Sequence, residues 1–160
     1  MQYIDSGLRD ATQTVGAWLR GIPPASVSEL RFQSGFFGEQ GIFLLRVILK
    51  DLRERDALTR GLIGSNDSRT GEKDVTSLAN AIGIPRPGAS LGICAFSNSF
   101  FNPKVLHFTL LNGEQTAYVG SANLTGQGVH GLHVEAGMLL STAEGDSKAT
   151  LQRIASAIDG

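Results

Sequence analysis

The sequence predicts an α/β sandwich, a mixed β-sheet flanked by helices, and three observations carry that reading. Apolar residues recur at helical spacing in four separate stretches. Short strand-like runs lie between them. Late in the chain an Asn-Gly pair joins two such runs as a hairpin. Strands alternating with helices favour parallel pairing through crossovers, and a hairpin adds antiparallel pairing, so the sheet should be mixed.

Taken in order, Leu8, Ala11, Val15, Trp18 and Leu19 give a first amphipathic helix over roughly 6–20, ended by Pro23-Pro24. Residues Ser28 to Phe37 alternate polar and apolar and read as a strand closed by Gly35 and Gly38. A second, strongly apolar helix follows from Phe43, Leu44, Val47, Ile48 and Leu52, with Arg53 to Asp56 as its solvated end. Leu58 to Ile63 is a short strand and Gly64 to Ser68 a loop. Val75, Leu78, Ala79 and Ile82 make a third helix closed by Gly83 and Pro85. Strands are expected near 90–97, 103–111, 115–121 and 132–141. Asp146 would then cap a last helix carrying Leu151, Ile154 and Ile158.

Composition narrows the function classes. A chain of 160 residues with 41% hydrophobic and 18% charged residues is globular and able to bury a core, and it reads as one domain over 1–160. That domain is either a natural small protein or the catalytic part of a longer one. A net charge of −1 gives no global attraction to nucleic acid, so any polyanion must be held by a local patch or by a further recognition domain. The single cysteine, Cys94, sits in an apolar run, reads as a buried strand thiol, and suits a reducing, cytoplasmic setting. The run Ile42 to Leu49 is interrupted by Arg46 and too short to cross a bilayer, so no membrane association is expected. No Cys/His/Asp spacing suggests a metal site, and no cofactor is expected.

The hairpin concentrates polar groups. A two-residue turn at Asn112-Gly113 would set Phe108 opposite Ala117, Leu106 opposite Val119, Lys104 opposite Ser121 and Asn102 opposite Asn123. Side chains alternate along strands, so these would share one face, apolar near the turn and polar at the open end. A purely structural hairpin would not be expected to gather Asn, Lys, Ser and Asn there.

The same residues carry a resemblance. Asn102-Pro103-Lys104 followed by Gly120-Ser121-Ala122-Asn123 resembles the His-x-Lys and Gly-Ser-x-Asn half-motif of the phospholipase D superfamily. With Val134-Glu135-Ala136-Gly137, and more weakly Phe32-Gln33-Ser34-Gly35-Phe36-Phe37, it is similar to the bacterial single-motif branch that includes metal-independent restriction endonucleases. The specific part of the likeness runs from about Phe101 to Gly137, and Thr109 departs from the Asp the pattern tends to carry. The resemblance implies a phospholipase D-like half-repeat and a homodimer with the active site at its two-fold interface. It implies DNA phosphodiester hydrolysis through a phosphohistidine, without a metal. Lys104 would neutralise the phosphate, Ser121 and Asn123 would donate or relay hydrogen bonds, and Glu135 would orient the imidazole.

Asn102 stands at the position the pattern gives to the nucleophilic histidine. A carboxamide neither titrates near neutrality nor attacks phosphorus, so binding would survive while chemistry is lost. The otherwise intact set favours an introduced trap substitution over a natural pseudoenzyme. Other readings stay open: a catalytically dead phosphate- or nucleic-acid-binding module, a phosphodiesterase for lipid or a small diester, or an inert dimerisation domain. Glu135 could instead pair structurally with Arg31 or Arg46. His107, opposite Tyr118 on the other face, and the loop residues His130 and His133 read as structural, and the Gly126–Gly131 stretch only weakly suggests a phosphate cradle.

Overall fold

The computed structural model of the chain describes residues 1–66 and 70–160. Of the loop expected over Gly64 to Ser68, Asp67 and Ser68 lie outside the described residues. Seven strands form one mixed sheet: β1 (Gln2–Asp5), β2 (Val27–Ser34), β3 (Leu58–Gly64), β4 (Ala89–Cys94), β5 (Lys104–Leu110), β6 (Gln115–Gly120) and β7 (Ala136–Ser141). The helices are α1 (Val15–Arg20), α2 (Arg46–Glu54), α3 (Glu72–Ile82), α4 (Gly126–Val129) and α5 (Lys148–Asp159). The strand order is β1-β7-β6-β5-β2-β3-β4. The β2–β3 and β3–β4 pairs are parallel and joined by helical crossovers, while every other pair is antiparallel. This is the α/β sandwich with a mixed sheet that the alternation of elements predicted.

The two faces of the sheet differ in chemistry. Leu30, Phe32, Ile63, Leu106, Phe108 and Tyr118 face the main core, closed by α1, α2, α3 and the 3₁₀ turn Glu39–Leu45. Trp18 packs edge-on against Phe108 with ring centroids 5.6 Å apart. The other face carries Glu29, Arg31, His107 and Gln115, covered by α5 through Leu151 and Ile158. Arg31, 8% exposed, is clamped by Glu29 (2.7 Å) and by Asp159 at the end of α5 (2.8 Å), and Arg60 also reaches Asp159 (3.2 Å). Burying a guanidinium is tolerable only because both carboxylates meet it. His107 is 1% exposed, bonds to Gln115 at 3.2 Å, and is pushed below the usual histidine range by burial. It is a structural group, as expected, although it lies opposite Ala117 rather than Tyr118.

Several boundaries depart from the sequence expectation. The first helix spans only Val15–Arg20, because Thr14 caps it by accepting from the Ala17 amide at 3.1 Å. Upstream, Asp10 turns the chain by accepting from the Thr12 amide at 2.8 Å, and Gln2–Asp5 leaves as a strand on β7. Leu8, counted in the helical stripe, is 67% exposed. The second helical segment begins as 3₁₀ and becomes α-helical at Arg46, leaving Phe43 and Val47 exposed. Strand β2 stops at Ser34, β4 at Cys94, and β7 starts only at Ala136. Cys94 ends an edge strand half-buried, rather than lying within the core. Ser147, not Asp146, caps α5, while Asp146 accepts from the Ser141 amide and pairs with the amino terminus at 2.8 Å.

The hairpin register is also corrected. Its loop has three residues, Leu111 to Gly113, closed by Leu110 N–H to Glu114 O (2.8 Å) and Gly113 N–H to Leu110 O (2.9 Å). Gly113 sits at φ +83°, a conformation costly for any residue with a Cβ. The extra residue slips every pair by one, so Leu106 faces Tyr118 and Phe108 faces Thr116, not Val119 and Ala117. Paired residues run only from Val105–Val119 to Thr109–Gln115, so Ser121 and Asn123 lie beyond the end of β6. Cross-strand pairing therefore does not set them opposite Lys104 and Asn102.

The Arg31–Asp159 clamp has a pH signature. The hydrogen bond from Arg31, then the charges of Arg31 and Arg60, hold Asp159 below the usual carboxylate range. Its contribution is complete above the unfolded value of about 4 and is lost as pH falls through the lowered folded value. Asp159→Asn should therefore cost about 1–2 kcal/mol of stability at neutral pH, and the difference between the two proteins should shrink as the pH falls from about 4 through the lowered folded value. Urea unfolding across that pH range measures the difference.

Candidate functional site

Lys104 opens β5, opposite Ser34 of β2. Just before it, the segment 101–103 is irregular and must be held by something other than sheet bonds. Asn66 does this. It is 5% exposed, donates to the carbonyls of Gly35 (2.9 Å) and Phe101 (2.7 Å), and accepts from the Phe101 amide at 3.1 Å. One carboxamide thus ties the ends of β2 and β3 to the chain that carries Asn102. Gly35 is required at this junction, because a Cβ there would overlap Asn102 Oδ1 and lie 3.0 Å from the Asn102 Cα. Pro103 adds its own restriction, keeping Asn102 out of the helical region.

Lys104 folds back on Asn102, with Nζ donating to its backbone carbonyl at 2.9 Å and contacting its side-chain Oδ1. The ammonium is half-buried. Desolvation draws its pKa down, and the negative charge of Glu135 partly opposes that shift. Glu135 lies just ahead of β7, where its Oε2 is in short contact with the Ser121 hydroxyl. The same hydroxyl accepts from the Ala136 amide at 3.0 Å, and the Ser121 amide donates to the Ala136 carbonyl at 2.9 Å. Ser121 is therefore a stitch between the end of β6 and the start of β7 that also fixes the carboxylate. Ser6 contributes from the far end of the chain: its hydroxyl accepts from the Glu135 amide at 2.8 Å and donates to the His133 carbonyl at 3.1 Å.

Of the five candidates named from the sequence, Asn102 and Lys104 form one hydrogen-bonded pair and Ser121 and Glu135 another, both at the same end of β5 and β6, with the charge of Glu135 acting on the Lys104 ammonium. Asn123 is used differently. Its Oδ1 accepts from the Phe36 amide at 3.0 Å, supporting the turn after β2. Ser34, buried below it, donates to the Phe36 carbonyl (2.6 Å) and accepts from the Leu124 amide (2.8 Å). Glu135 has neither of the structural partners offered for it, since Arg31 pairs with Glu29 and Asp159, and Arg46 with Glu39. His130 and His133 are exposed loop residues. The Gly126–Gly131 stretch contains the single turn α4, capped by Thr125, and not an open cradle.

Chemically the arrangement can meet an oxyanion. An ammonium has three donors, and Asn102 occupies two of them. The exposed amide of Asn102 adds donors beside it, while the one hydroxyl proton of Ser121 is already given to Glu135. Among the described residues no group of three or more His, Cys, Asp or Glu is placed to hold a metal ion. No helix of the described residues is long and apolar enough to cross a membrane.

Sequence reasoning missed Asn66, Ser6 and Ser34. Each lies in a polar, loop-like or alternating context where a buried bonded side chain looks the same as a solvated one. Asn66→Ala should remove three hydrogen bonds and strand backbone groups of Gly35 and Phe101, costing about 2 kcal/mol. Hydrogen exchange should show the Phe101 amide losing more protection than the amides of β5, and equal loss throughout would speak against a local role.

No protein-family model and no curated protein matches the chain. Solved structures do. NucT from Helicobacter pylori superposes with a TM-score of 0.57 at 13% identity, over 99% of this chain and 94% of that one. Two mutant forms of yeast tyrosyl-DNA phosphodiesterase give TM-scores of 0.53 and 0.50 at 10% and 11% identity. They cover 86% and 76% of this chain but only 31% and 27% of theirs. These likenesses establish the fold as phospholipase D-like.

Proposed function

We propose that this chain is a phospholipase D-like phosphodiesterase domain for DNA, working as a homodimer without metal or cofactor, and that Asn102 occupies the nucleophile's place. The observation that carries the reading is the placement of two hydrogen-bonded pairs, Asn102–Lys104 and Ser121–Glu135, at one end of β5 and β6. The fold shared with a nuclease and a DNA phosphodiesterase supports it.

In the working enzyme a histidine at position 102 attacks phosphorus, forming a P–N bond as the P–O bond to the leaving oxygen breaks. The histidine of the second copy gives that oxygen its proton. Water then attacks the phosphohistidine, releasing the histidine and the phosphate product. Lys104 from each copy offsets the charge growing on the non-bridging oxygens. Glu135, fixed by Ser121, accepts from the second imidazole nitrogen and holds the ring in the attacking tautomer. Asn123 serves indirectly, by shaping the turn at Gly35. One copy supplies one lysine and one position 102, so the mechanism needs two-fold pairing. With Asn102 in place the site can hold a phosphate but cannot form the covalent intermediate.

Asn102→His should restore cleavage of DNA in excess chelator, with a dimer in solution. A folded, dimeric Asn102→His protein that leaves DNA uncut would overturn the catalytic reading and leave a binding module. A phosphatidyl substrate offered to the same variant distinguishes a lipid or small-diester enzyme, which the net charge of −1 mildly favours. In the chain as it stands, Lys104→Ala should weaken DNA binding roughly tenfold at low salt, read by fluorescence anisotropy.

A further inference from the structure

At the turn end of β5 and β6, away from Lys104, the structure opens a cavity of about 500 Å³. Lys104 and Leu110 bound β5, so the cavity lies about 20 Å from the polar group along the same strand. Its walls are mostly apolar, with Trp18 and Ile22 from the α1 side and Leu110 and Leu139 from the sheet. The volume falls in the range of small-molecule sites, which combine apolar walls with a few polar groups.

Gln2, Thr12, Thr116 and Ser141 supply neutral polar groups, and the charged groups are of one sign. Glu114 and Glu144 are among the lining residues, and no Lys or Arg is. Among the described residues neither carboxylate forms an ion pair. The nearby amino terminus is already taken by Asp146 at 2.8 Å. Trp18 is held by Phe108 and by Tyr118 (6.4 Å) and also borders the cavity, so it offers a fixed indole wall. An indole attracts cations through its negative face, and a cation between indole and carboxylates gains from both.

We propose that this cavity is a binding site for small organic cations with an apolar body, of the arylalkylammonium class. The apolar body fills the space beside Trp18, Ile22, Leu110 and Leu139, and the ammonium faces Glu114 and Glu144. The site is separate from the phosphate-facing end of the hairpin and does not depend on the chain's being a nuclease.

Trp18 is the only tryptophan of the sequence, so its emission reports on the cavity directly. Phenylbutylammonium, phenylbutanol and phenylbutyrate, matched in shape and differing in charge, would be titrated against the full chain, with calorimetry alongside. Phenylbutylammonium should give saturable binding about five-fold tighter than phenylbutanol, and phenylbutyrate should bind weakest. The double variant Glu114→Gln with Glu144→Gln should bring the ammonium down to the affinity of the alcohol while leaving the alcohol unchanged. Absence of saturable binding by both methods would overturn the proposal. So would equal affinity for the three ligands, or an ammonium preference that persists in a folded double variant.

Discussion

The arrangement at the polar end of the sheet depends on one buried carboxamide. Asn66 meets Gly35 and Phe101 with three hydrogen bonds in a place where backbone groups have no ladder partners. Sheets end by releasing their strands in different directions, and the released carbonyls and amides then need new partners. A single side chain with two donors and an acceptor serves three strand ends at once. Lys104 can fold onto Asn102 only because the chain carrying Asn102 is pinned first. The site is thus a product of how the sheet terminates, more than of the strands themselves.

The two sheet faces divide the labour. The face under α1, α2 and α3 is apolar and gives the sheet its cohesion, through side chains such as Leu30, Phe32 and Phe108. The opposite face is held by ion pairs and hydrogen bonds under a single helix, with Arg31 at their centre. Lys104 begins on the apolar face and emerges at its margin, next to Leu106 and Phe108 in alternation. That position explains why burial bears on its ammonium and why the charge of Glu135 matters to it.

Much of this was legible in the residues, and the failures have definite causes. Strand β3, helix α3 with its Gly83 terminus, and the late hairpin follow from periodicity and turn chemistry. The register did not, because Asn-Gly suits both two- and three-residue loops, and one extra residue moves every pair. The N-terminal segment misled because Leu8 and Ala11 happen to continue the stripe of Val15, Trp18 and Leu19. The Asp10–Thr12 turn and pairing with β7 outweighed that weak helical preference. At the site, Lys104, Ser121 and Glu135 were legible as a set through motif spacing, although the geometry that assembles them is not the cross-strand register first inferred. Asn66 was invisible, since nothing local separates a buried loop amide from a wet one.

Strand β1 carries a kinetic implication. It pairs with β7, and Ser6 just beyond it grips the segment of Glu135 from 129 residues away in the chain. Closing so long a loop is entropically slow to be rewarded, and contacts of such separation form late. The backbone of Glu135 is therefore secured only when the opening and closing portions of the sheet have found each other, whereas its carboxylate is fixed by the nearby Ser121. The N-terminal strand thus supports the polar cluster without contributing a side chain of its own to it.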